Sequence, residues 1–81
     1  MKELQVHGTR IWTQDCWLIV RIWATYDGKE FLADIRYEID GRDLEFDTLW
    51  GDTDTVMEIV ELLYEHECWS EISKAMDAAY N

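Results

Sequence analysis

Between residues 17 and 50 apolar and polar positions alternate, and Asp-Gly interrupts the alternation twice, at Asp27-Gly28 and at Asp40-Gly41. Asp-Gly is a strong signal for a two-residue hairpin loop, because a type I′ turn needs positive φ at both central positions and glycine accepts it without a Cβ clash. Two-residue loops at both pairs fix a register. Across the first, Tyr26 faces Lys29, so Ala24 meets Phe31, Ile22 meets Ala33, Val20 meets Ile35 and Leu18 meets Tyr37. Across the second, Ile39 faces Arg42, so Tyr37 meets Leu44, Ile35 meets Phe46 and Phe31 meets Trp50. These inner pairs are apolar and share one face. A slip of one residue would send each to the other side, so the agreement supports the register. The expected strands are 17–26, 29–39 and 42–50. A first strand over 4–12 carries Gly8, a bulge signal, and Thr13-Gln14-Asp15 reads as the turn after it.

After Gly51 the period changes from two to 3.6. Asp52-Thr53-Asp54-Thr55 offers N-caps, and Thr55 with Glu58 fits a capping box. Val56, Ile59, Val60 and Leu63 then make one helical face. At about 100° per residue, Asp54, Glu58, Glu61 and Glu65 cluster within ~60° of one another, opposite Val60 and Leu63. Ser70 is the N-cap expected for a second helix, with Ile72, Ala75, Met76, Ala79 and Tyr80 on its apolar face. No glycine or proline marks the joint between the helices, so the pattern leaves open whether they are continuous. The fold expected is α+β: a four-stranded antiparallel sheet in ββββαα order, one domain over 1–81, with two helices packed on the face bearing Val20, Ile22, Ile35, Tyr37, Leu44 and Phe46.

The opposite sheet face is unusual. In this register Arg21 meets Asp34 and Arg36 meets Glu45, which are ordinary cross-strand ion pairs. Trp17, Ile19, Trp23, Leu32 and Leu49 share that face, where a sheet facing water is mainly polar. Two readings compete: the five line a protein–protein contact, or Trp12 and the arginine stems cover them.

Charge changes the picture more than composition does. Residues 1–42 hold seven acids and six bases, whereas residues 43–81 hold eleven acids and one base, Lys74. Nearly all of the −11 net charge therefore sits in the C-terminal half. Such a surface repels nucleic acid and anionic membranes and attracts basic proteins. The expected acidic surface comprises Asp43, Glu45, Asp47, Asp52, Asp54, Glu58, Glu61 and Glu65, although acids of this kind also serve solubility alone. No apolar run approaches the ~20 residues of a membrane-spanning helix. The first residues lack a signal peptide's apolar core, so a cytoplasmic protein is expected.

Candidate chemistry is sparse. His7, His66, Cys16 and Cys68 do not have the spacing of a zinc set, and no nucleophile–base pair or glycine-rich phosphate loop is present. No enzyme activity, metal or cofactor is expected. In size, charge asymmetry and αβ build the chain resembles the small acidic phage proteins that inhibit host defence, the anti-CRISPR and DNA-mimic proteins. The resemblance implies a non-enzymatic inhibitor in the host cytoplasm that occupies a basic, nucleic-acid-binding groove of a partner protein. An immunity-type protein against a basic nuclease toxin is an alternative in the same chemical style. A homodimerising structural module, joined through the Trp17/Trp23 face, is the alternative from a different class.

Overall fold

A computed structural model describes residues 3–41, 43–53 and 56–80, Tyr80 by its backbone only. The order is β1 (Leu4–Gln14), β2 (Trp17–Tyr26), β3 (Lys29–Glu38), β4 (Leu44–Gly51), α1 (Val56–Glu65) and α2 (Trp69–Tyr80). The strands form one antiparallel sheet in the spatial order β1-β2-β3-β4, a meander. The fold is the expected α+β arrangement. No described helix is long and apolar enough to cross a membrane.

The β2–β3 hairpin follows from its turn. Asp27 and Gly28 take φ of 52° and 78°, as a type I′ loop requires. The pairs Ala24–Phe31, Ile22–Ala33, Val20–Ile35 and Leu18–Tyr37 form as the pattern dictates. Around Asp40-Gly41 the register also holds at Tyr37–Leu44 and Ile35–Phe46, but the loop is a different one. Gly41 does not take the left-handed φ, and Glu38 N–H bonds the Asp43 carbonyl at 3.0 Å across a longer loop. Both strands are accordingly shorter than expected at this end. The expected Ile39–Arg42 pair and the Thr55 capping box fall on Arg42 and Thr55, outside the described residues.

One inner pair is wrong. Phe31 meets Gly51, and Leu32 meets Trp50, because β4 carries a bulge: Ala33 pairs with Thr48 and Leu32 with Trp50, leaving Leu49 as the extra residue. A bulge sets two residues against one and reverses the alternation beyond it. Trp50 therefore moves from the core face to the open face. Gly51 follows at φ 88°, passing so close to the Glu30 carbonyl and Phe31 that only glycine fits. A second bulge falls in β1 at His7, between Val6 and Gly8, near the glycine that signalled it. β1 runs two residues further than expected and turns through Asp15-Cys16, with Asp15 at φ 56°.

The core lies between the sheet and the helices. Val20, Ile22, Phe31, Ala33 and Ile35 are fully buried against Ile59, Leu63 and Ile72. Leu44 and Phe46 on β4 are only half-buried, because the helices lean toward the β1–β2 half, where α2 packs on β1 and β2 and α1 on β1. The helices are separate. Residues 66–68 form a turn in which His66 Nδ1 accepts the Cys68 amide at 3.1 Å, and the Cys68 carbonyl accepts the first bonds of α2. Helix α2 thus starts one residue before Ser70. The Ser70 hydroxyl donates to the Glu67 carbonyl at 3.3 Å rather than capping an amide. Trp69 then wedges edge-on between Tyr64 of α1 and Tyr37 of the sheet, at centroid distances of 4.5 and 6.2 Å.

Candidate functional site

The register sorts the acidic residues onto two sides of the sheet. Glu45 and Asp47 stand on the face away from the helices, where Arg36 reaches both, at 3.1 and 3.9 Å. Asp52 lies 3.4 Å from Lys29, and Asp43 is exposed beside the β3–β4 loop. Asp54 falls outside the described residues. Glu58, Glu61 and Glu65 are exposed on α1, opposite the buried Ile59, Val60 and Leu63. The seven described acids are therefore not one surface. Those on or beside the sheet sit among arginine and lysine, while α1 contains no basic residue at all.

Glu58 is anchored. Tyr26, at the end of β2, donates its hydroxyl to Glu58 Oε2 at 2.5 Å, tying the first turn of α1 to the sheet. That bond, helped by burial and by the nearby carboxylates of Glu58 and Asp27, pushes the Tyr26 pKa up to about 12. A carboxylate in a helix's first turn also complements the helix dipole. Glu58, Glu61 and Glu65 border a shallow groove of about 250 Å³ with Tyr26 and Leu62. Met57 and Tyr64, 67% and 49% exposed, flank the stripe and give the acidic surface an apolar margin. On α2, Glu71 and Asp77 are exposed as well, as is Glu67 in the joint. From residue 56 to 80 the chain carries six carboxylates against one lysine.

The sheet's other face is open. β1 joins the sheet edge-on instead of folding across it, so Trp23 remains 48% and Leu49 43% exposed. Trp50, which the alternation alone would turn inward, joins them at 58% exposure. Leu32 and Trp17 are half-buried. Ile19 is buried, with Trp12 and Arg36 as cross-strand neighbours. The guanidinium groups of Arg10 and Arg21 both lie over the Trp12 ring, at 5.5 and 5.2 Å from its centroid. The covering reading thus holds at Ile19 and fails at Trp23 and Leu49. Around them Arg21 grips Asp34 through two bonds of 2.8 and 3.0 Å, and Trp23 donates its indole N–H to Glu30 at 2.9 Å.

Comparison with protein-family models, curated proteins and solved structures finds no match.

The residues considered for chemistry are scattered or committed elsewhere. Cys16 sits in the β1–β2 turn and Cys68 in the helix joint, both as free thiols, and burial pushes the Cys68 thiol pKa up, away from the reactive thiolate. His7 packs tilted against Trp23, with ring centroids 5.0 Å apart, and bonds Thr25, while His66 spends Nδ1 on the joint. No group of three metal-ligating side chains converges among the described residues.

Proposed function

We propose that this protein is a non-enzymatic inhibitor or adaptor whose helix layer docks on a basic surface of a partner protein. In its sharpest form it is a phage-encoded anti-CRISPR or DNA-mimic protein that occupies a groove built for nucleic acid in the host cytoplasm. The observation that carries the reading is the segregation of charge. The helix layer is almost purely acidic, while three of the seven basic residues, Arg10, Arg21 and Arg36, lie on the opposite face of the sheet. A helix whose acids serve only solubility usually mixes in lysines, since like charges three and four residues apart cost a few tenths of a kcal/mol per pair. Here Glu58, Glu61 and Glu65 repeat along ~10 Å of the helix axis without a cation on the same helix. Lysines and arginines that grip a phosphate backbone would accept such a row in its place. Exposed Met57 and Tyr64 add the apolar and aromatic anchors that charged rims surround in protein interfaces.

The test is the triple variant E58Q/E61Q/E65Q. Glutamine keeps an acceptor for Tyr26, so the fold should persist by circular dichroism. Binding to a basic partner captured from the host should weaken, and the salt dependence of wild-type binding should shrink with it. A variant that binds and inhibits as the wild type does would refute the proposal.

A further inference from the structure

The open sheet face is self-complementary, and we infer that a second copy of this chain docks on it face to face. Across the middle of the sheet one row reads Arg10, Arg21, Asp34, Asp47, one residue per strand from β1 to β4, joined by direct cross-strand pairing. Two of its three neighbour pairs, Arg10–Arg21 and Asp34–Asp47, place like charges opposite each other, an arrangement that destabilises an isolated sheet. Arg21 and Asp34 neutralise one another, but Arg10 makes no ion pair among the described residues, and Asp47 has only the 3.9 Å contact with Arg36.

A two-fold axis parallel to the strands and midway between β2 and β3 resolves the row. It exchanges β1 with β4 and β2 with β3. Arg10 then faces Asp47 of the second copy, and Arg21 faces its Asp34, each pair twice over. Packed sheets stand about 10 Å apart, a gap that a long arginine and a short aspartate fill together.

The next row obeys the same operation. It reads Gly8, Trp23, Leu32, Trp50, with a bulge at each end. Because Gly8 has no side chain, a notch of about 260 Å³ opens among Gly8, Thr9, Arg10, Arg21, Trp23 and Leu32. At the opposite edge Trp50 protrudes, the most exposed aromatic ring on this face. The axis that pairs Arg10 with Asp47 also sets Trp50 over the second copy's notch and Leu32 over its Trp23. Hole and knob are on the same molecule, as an isologous contact requires. Four strands of about eight paired residues give a flat footprint of roughly 500 Å². Side-chain relief raises the accessible area toward the ~800 Å² per partner of a standard interface. Two chains of −11 charge would meet most readily on the face that holds paired arginines, with both acidic helix layers turned outward. The contact stands independently of what those layers bind.

Sedimentation equilibrium on the full chain should give twice the 9.7 kDa of one copy. Arg10→Asp alone and Asp47→Arg alone should each weaken dimerisation at least about tenfold, since each puts like charges together at two symmetric positions. An equimolar mixture of the two variants should recover a dimer, because both contacts are then complementary. The double variant R10D/D47R should dimerise by itself. Trp50→Ala should be monomeric with an unchanged circular dichroism spectrum. A monomeric wild type at its highest soluble concentration, single variants as dimeric as wild type, or a mixture no more dimeric than its components would each overturn the inference.

Discussion

Tyr37→Phe should make this protein more stable. Tyr37 is 9% exposed where the end of β3 meets Trp69 of α2, and its hydroxyl has no hydrogen-bond partner among the described residues. Burying a hydroxyl without a partner costs about 1–3 kcal/mol relative to leaving it in water. Phenylalanine removes that cost and keeps the ring that meets Trp69 edge-on. The void left by one oxygen is on the order of 10 Å³, so the cavity penalty is only ~0.2 kcal/mol. The balance is a gain of roughly 1 kcal/mol or more, which raises Tm by about 4–8 °C per kcal/mol in a domain of this size. Urea unfolding at neutral pH measures it directly. A second arm uses pH. Burial raises the Tyr37 pKa above its ordinary 10, so its folded value exceeds its unfolded value. The stability linked to the neutral phenol is therefore complete below pH 10 and lost as pH rises beyond it. The variant should lose less stability than wild type over that alkaline range. A variant less stable by 1 kcal/mol, or one with an unchanged alkaline slope, would show that the hydroxyl is satisfied and would refute the reasoning.

Gly51→Ala should destabilise the fold by more than the ~1–2 kcal/mol of a left-handed residue, because the new methyl also meets the backbone of Glu30 and Phe31; thermal unfolding measures the loss. Tyr26→Phe should sever α1 from the end of β2. Because the Tyr26 pKa is raised to about 12, its linked stability is present below pH 10 and lost as pH rises toward 12, so the variant should show a flatter alkaline profile in a stability titration.

Where local chemistry determined geometry, the sequence was sufficient. Asp27-Gly28 forces the loop, and the alternation on either side permits one register. The β1–β2 turn was misplaced because no glycine marks it; Asp15 adopts the left-handed backbone itself. The bulge at Leu49 has no compositional signal, since a bulge inserts a residue into an otherwise ordinary apolar strand, and so Trp50 was assigned to the wrong face. The helix break was illegible for a related reason, as the backbone carbonyls of His66, Glu67 and Cys68 take the first amides of α2 where a serine cap was expected. The acidic stripe on α1 could be read from helical period alone. Its separation from Glu45 and Asp47 was legible too, because the expected register sets both on the face that the helices leave open. The row of Arg10, Arg21, Asp34 and Asp47 needs three registers at once, and the first of them rests on a bulge at His7.

The two bulges have a consequence for solubility during folding. A four-stranded meander leaves β1 and β4 with unpaired backbone edges, and a regular edge is a template on which further chains polymerise as cross-β stacks. His7 and Leu49 each interrupt the hydrogen-bonding repeat of an edge strand, on either side of the Gly8–Trp23–Leu32–Trp50 row, and a bulge increases the local twist. An incoming strand in regular extended form would fall out of step part-way along either border. β4 adds Asp43, Glu45 and Asp47 beside its rim, which repel an identical neighbour aligned in register. A chain with this much exposed tryptophan is thereby kept from growing sideways into a fibre.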